Sequence, residues 1–101
     1  MNFPLNEVVT FKMTSGEEII AKVVGIETGT DYIVIDEPVS IAHGPQGMGL
    51  VPGMFTADTK QKIRLNTKNI NLFAQTEDQV KVKYIQATTG LTVPDKKIVL
   101  G

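Results

Sequence analysis

The sequence predicts a mostly β domain followed by a C-terminal helix, and three observations carry that expectation. Val9, Phe11 and Met13 alternate with Val8, Thr10 and Lys12, which is the two-residue period of a half-buried strand. Two polar, glycine-containing turns, Thr14-Ser15-Gly16-Glu17 and Thr28-Gly29-Thr30-Asp31, divide residues 8–41 into strand, turn, strand, turn, strand. Thr76-Glu77-Asp78-Gln79 has the spacing of a capping box just before a second periodic segment, which marks a helix start.

The second strand runs from Ile19 to Glu27, with Ile19, Ala21 and Val23 on one face and Ile20, Val24 and Ile26 on the other. Both faces are therefore expected to be largely apolar. Tyr32-Ile33-Val34-Ile35 resumes as a third strand, being β-branched and aromatic. Pro38 interrupts it, because proline cannot donate to a ladder and belongs at a bulge or edge, and Val39-Ser40-Ile41-Ala42 can then resume pairing. Residues 43–49, His-Gly-Pro-Gln-Gly-Met-Gly, read as the loop between the third and fourth strands. With no Gly-Lys-Ser/Thr ending and no following helix they are not a phosphate-cradling loop. Leu50 to Thr56 reads as an irregular strand bent at Pro52-Gly53, Asp58-Thr59-Lys60-Gln61 as a polar turn, Lys62 to Leu65 as extended chain, Asn66 to Asn69 as a turn, and Ile70 to Ala74 as the last strand.

In the helix, Val80, Tyr84, Ala87, Thr88 and Leu91 fall on one stripe, and Gly90 is placed to stop it. Val80-Lys81-Val82-Lys83-Tyr84 also alternates as a strand would; its valines favour that reading and the capping signals favour the helix. One domain is expected over residues 1–101, with a β unit over 1–75, a helix over 76–90 and a tail over 91–101.

Gly16, Ile19, Ala21, Val23, Glu27, Thr30-Asp31, Val34 and Asp36 form a series that resembles the first motif of the Sm-like family. The run from Ile63 to Ile70 resembles its second motif, and Tyr84 to Leu91 is similar to the Sm-like proteins carried by tailed phages, including cyanophages. The resemblance spans roughly residues 8–91. It implies a strongly bent, five-stranded antiparallel sheet forming a small barrel with a C-terminal α-helix, and a homo-oligomeric ring of roughly five to seven subunits. It also implies single-stranded RNA as a ligand, no catalysis and no cofactor.

Composition sets bounds of its own. At 101 residues, 42% hydrophobic and 21% charged, the chain fits one domain of a size that gains by oligomerising. Without cysteine there is neither a disulfide framework nor a thiolate metal site. No stretch is apolar and long enough to span a bilayer, and Met1-Asn2-Phe3-Pro4 lacks the features of a signal peptide; the expectation is a cytoplasmic protein, in the host cytoplasm if phage-encoded, with no membrane partner. A net charge of −1 argues against binding nucleic acid by bulk positive field. The charge is segregated, however: residues 1–50 carry two bases and seven acids, residues 51–101 eight bases and four acids.

Candidate sites are few. His43 is the single histidine, so no histidine pair can hold a metal, and Asp31 and Asp36 at strand ends make a poor metal site. Enzymatic function is not expected. In Sm-like rings the turn between the second and third strands and the turn before the last strand lie side by side at the pore, where a flat side chain stacks on a base. By the resemblance those turns are Gly29 to Tyr32 and Asn66 to Asn69. The family's base-reading asparagine falls on Asp31, its stacking position on Gly29, and its arginine-glycine pair on Asn66-Thr67. Asp31, Tyr32, Lys68 and Asn69 are therefore the candidate RNA-binding residues, with Tyr32, Lys68 and Asn69 as a substitute pocket. The alternative is a structural or protein-interaction ring that has lost RNA binding and recruits a protein through its C-terminal helix.

Overall fold

The computed structural model describes residues 3–58 and 60–89, and the backbone of 98–99. The elements are β1 (Val8–Met13), β2 (Glu18–Ile26), β3 (Tyr32–Gly44), β4 (Gly47–Pro52), β5 (Ile63–Asn66), a 3-10 turn (Thr67–Asn69), β6 (Ile70–Gln75), α1 (Asp78–Thr89) and β7 (Ile98–Val99). They form one antiparallel sheet in the order β6-β1-β2-β3-β4-β7, with β5 also paired to β3. The mostly β architecture with a single C-terminal helix is thus as expected. The sheet is not closed into a barrel, because β5 and β6 do not pair.

β3 is shared between two partner strands. Its first half, Tyr32 to Ile35, pairs with β5, and its second half, Val39 to Gly44, pairs with β4. Between them Glu37 adopts φ 50°, a left-handed conformation unusual for a non-glycine residue, and Pro38 follows. Pro38 therefore does not end the strand; it marks the place where the strand changes partners. The fourth strand of the expected five is correspondingly split into β4 and β5. Gly53 donates its N–H to the Pro38 carbonyl at 2.8 Å, and a Cβ there would meet Pro38 backbone and ring at 3.1 Å, so a larger residue would have to push Pro38 back by a few tenths of an ångström.

Residues 43–49 are not a long loop. The β3–β4 ladder continues through His43↔Met48 to Gly44↔Gly47, leaving Pro45-Gln46 as a tight hairpin tip. Gly47 at φ 105° accommodates the reversal.

Two cores lie on opposite faces of the sheet. The first gathers Phe3, Val9, Phe11, Met13, Ala21, Val23, Ile33 and Ile35, with Ile19, Ile63, Leu65 and Ile70 partly buried against it. The second gathers Val8, Ile20, Val39, Leu50 and Tyr84, with Ile41, Val80 and Ala87 alongside. The stripe expected on α1 is thus the buried one at Val80, Tyr84 and Ala87; Leu91 and the Gly90 stop lie outside the described residues, as does the tail except for β7. On β2 only Ile20 of the second apolar face reaches a core, whereas Val24 and Ile26 are exposed.

The helix start differs from the expected cap. Thr76 is buried, and its Oγ1 shares a hydrogen bond of 2.9 Å with Thr10 Oγ1. Its N–H donates to the Val8 carbonyl at 3.3 Å, so the ladder with β1 runs one residue past β6. The helix begins at Asp78, and the Glu77 carboxylate accepts from the Gln79 N–H at 3.2 Å, the position a capping side chain takes. No helix among the described residues is long and apolar enough to cross a membrane.

Candidate nucleic-acid interface

The β2–β3 turn is built by Thr30. Its hydroxyl donates to the Glu27 carbonyl at 2.9 Å and accepts from the Tyr32 N–H at 3.1 Å, while Gly29 supplies the positive φ of 82°. This sets Tyr32 at the start of β3, half-buried, with Asp31 exposed beside it. The second turn is built by Asn66, whose Oδ1 accepts from the Lys68 N–H at 3.0 Å and so caps the 3-10 turn.

The two turns are one surface. Tyr32 stands opposite Asn66 in the β3–β5 ladder. Beyond it, the Asp31 carbonyl accepts from both the N–H of Thr67 at 2.7 Å and its hydroxyl at 2.9 Å. Thr67 therefore locks the two turns together. Lys68 Nζ lies 3.3 Å from Asp31 Oδ2, both side chains being more than half exposed. Such a pair contributes little to stability, but it neutralises locally the cation expected to meet phosphate. Asn69 is exposed, and its carbonyl accepts from the Thr14 N–H at 2.8 Å, tying the turn to the β1–β2 connection. Asp31, Tyr32, Lys68 and Asn69 are thus brought together. His43 is exposed on the β3–β4 hairpin, outside this group.

Two further residues belong to this surface. The Arg64 guanidinium lies over the Tyr32 ring, 4.1 Å from its centroid. It grips Glu27 bidentately, Nε to Oε2 at 2.6 Å and Nη2 to Oε1 at 3.0 Å. The Arg64 hydrogen bonds hold the Glu27 carboxyl below the usual carboxylate range, and the same bonds raise Arg64 further. Alternation along residues 62–65 places Arg64 on the outer face, but its partners follow only from the register.

No family model matches the chain, and no curated protein matches it either. The surface offers an aromatic ring with one face under a guanidinium, an exposed lysine, an exposed amide and two carboxylates, a set suited to stacking and hydrogen bonding. Among the described residues no group of three or more His, Asp or Glu side chains converges as a metal site.

Proposed function

We propose that the chain is a non-catalytic, self-assembling module of the Sm-like type, whose paired turns bind single-stranded RNA around a homo-oligomeric ring. The observation that carries the reading is the double hydrogen bond from Thr67 to the Asp31 carbonyl, which makes Tyr32, Lys68 and Asn69 one surface. Single strands are bound by this combination of a flat side chain and a nearby cation. Ring formation is supported by the sheet: among the described residues β5 and β6 each pair on one side only, and unpaired edges are templates for another chain. On these two strands Ile63, Leu65 and Ile70 are only partly buried against the first core, leaving apolar surface that a neighbour would cover. A phage-encoded origin and a cytoplasmic setting are part of the same reading.

A second reading is favoured by one observation: Lys68 and Arg64 each already face a carboxylate of their own chain. A ring with its cations so neutralised would serve as a protein-interaction scaffold, and the exposed Val82 and Ile85 of α1 would offer the contact. Light scattering, followed by titration with labelled single-stranded RNA at several salt concentrations, separates the two. A discrete oligomer with salt-sensitive affinity supports the first reading. An oligomer that ignores every RNA pool, while retaining a protein partner lost on replacing Val82 and Ile85, overturns it in favour of the second.

A further inference from the structure

Arg64 stands outside both turns, on β5 opposite Val34 and diagonal to Tyr32. Ile33 and Leu65, its neighbours in the ladder, point into the first core, so Tyr32 and Arg64 share the outer face. Both bonds to Glu27 use the Nε–Nη2 edge of the guanidinium. With 49% of the side chain still exposed, the side turned away from Tyr32 faces solvent.

We propose that this outer side of the Arg64 guanidinium is a base-stacking platform for single-stranded RNA, backed by the Tyr32 ring and held in orientation by Glu27. The proposal rests on the RNA reading above and adds to it a second contact, beyond the turns. Three features argue for a nucleobase rather than a phosphate. A planar guanidinium stacks on π systems as an ammonium cannot. Glu27 cancels its charge and repels a phosphate at the same edge, whereas stacking needs no net charge and tolerates any base. Finally, the bidentate grip and the ring beneath fix the plane beforehand, so little side-chain freedom remains to be lost when a base arrives.

The test uses the full chain and two probes, fluorescent oligouridylate and an abasic oligomer of the same length and backbone. Wild type is expected to prefer the probe with bases. Arg64→Lys keeps charge and reach but loses the plane; it should cost about 5- to 150-fold on oligouridylate, the range one lost stack spans, and leave the abasic probe unaffected. Equal loss on both probes would mean a phosphate contact and overturn the platform. So would wild-type affinity of Arg64→Lys for both probes, and in that case losses in Tyr32→Ala and Lys68→Ala would leave the turn site standing. Wild type that binds neither probe removes the RNA reading itself. As a second variant, Glu27→Gln keeps one acceptor for Arg64 and the Tyr32 ring beneath it but removes the carboxylate charge, so it should steepen the salt dependence and strengthen abasic binding. Unchanged binding of both probes by Glu27→Gln would place the RNA away from Arg64.

Discussion

Tyr84 donates its hydroxyl to the carbonyl of Glu37 at 2.8 Å and to that of Asp36 at 3.0 Å. The helix is thereby fastened to β3 at the point where that strand changes partners. Glu37 holds φ 50° there, a conformation that persists only when surrounding contacts impose it. The ring of Tyr84 at the same time fills the second core with Ile20, Val39 and Leu50. One side chain thus joins α1, the kink and the packing beneath it.

Tyr84→Phe should keep the packing and lose the two hydrogen bonds, costing about 1 to 2 kcal/mol because the two carbonyls stay partly buried without their donor. Burial also pushes the Tyr84 phenol above its ordinary range. The unfolded chain loses that proton near about pH 10 while the folded chain keeps it, so this stabilisation is complete below that pH and declines above it. Urea unfolding across the alkaline range should show a steeper loss for wild type than for Tyr84→Phe. Parallel curves would mean that the hydroxyl does not hold the helix.

Thr10 and Thr76 make a hydroxyl pair across the end of the β1–β6 ladder. Thr76→Val should cost about 0.5 to 1.5 kcal/mol by leaving Thr10 without its partner. The double variant Thr10→Val, Thr76→Val should cost less than the sum of the single changes, since both remove the same bond. Additive losses in a thermal or urea double-mutant cycle would show that Thr76 acts on the helix alone.

Glu27 is a carboxylate with a depressed folded-state pKa, owing first to its hydrogen bonds with Arg64. Its contribution is therefore present above the unfolded value of about 4.3 and is lost as pH falls through the lower folded value, because the unfolded state takes up the proton first. Carbon-detected NMR titration should place the Glu27 midpoint below the ordinary glutamate value. Arg64→Ala should restore it to the ordinary range, and a midpoint unmoved by Arg64→Ala would dissolve the pair in solution.

Strand positions were legible because alternation survives in the sequence: Val9, Phe11 and Met13 face the first core as their spacing requires. What could not be read were the long-range partners. Proline at position 38 signals a break, yet β3 continues because two different strands share it. The hydroxyl of Thr76 was available for a local cap, but Thr10, sixty-six residues away, takes it. Phe3 carries no periodic signal and still lies in the first core, 4.6 Å from the Phe73 ring and 5.9 Å from that of Phe11 between centroids. At the candidate site the turn residues Asp31, Tyr32, Lys68 and Asn69 were legible as two glycine- or asparagine-containing turns. Arg64 over Tyr32 was not, since a diagonal neighbour depends on a register that no single strand specifies.

Leu72 offers the sharpest test of assembly. It lies on β6, opposite Lys12 of β1, and is 65% exposed. Among the described residues the other side of β6 has no strand beside it, and a neighbouring copy adding there would place its own chain against Leu72. In an isolated subunit Leu72→Asp is a surface change expected to move stability by no more than about 0.5 kcal/mol. At a strand edge shared between copies, the same change sets a carboxylate against apolar surface, a burial that is costly without a partner. The expected outcome is a wild-type oligomer and a folded, smaller species for Leu72→Asp, with matching circular dichroism and distinct masses by light scattering. Equal masses for the two proteins, whether both monomeric or both assembled, would mean that copies do not meet along β6.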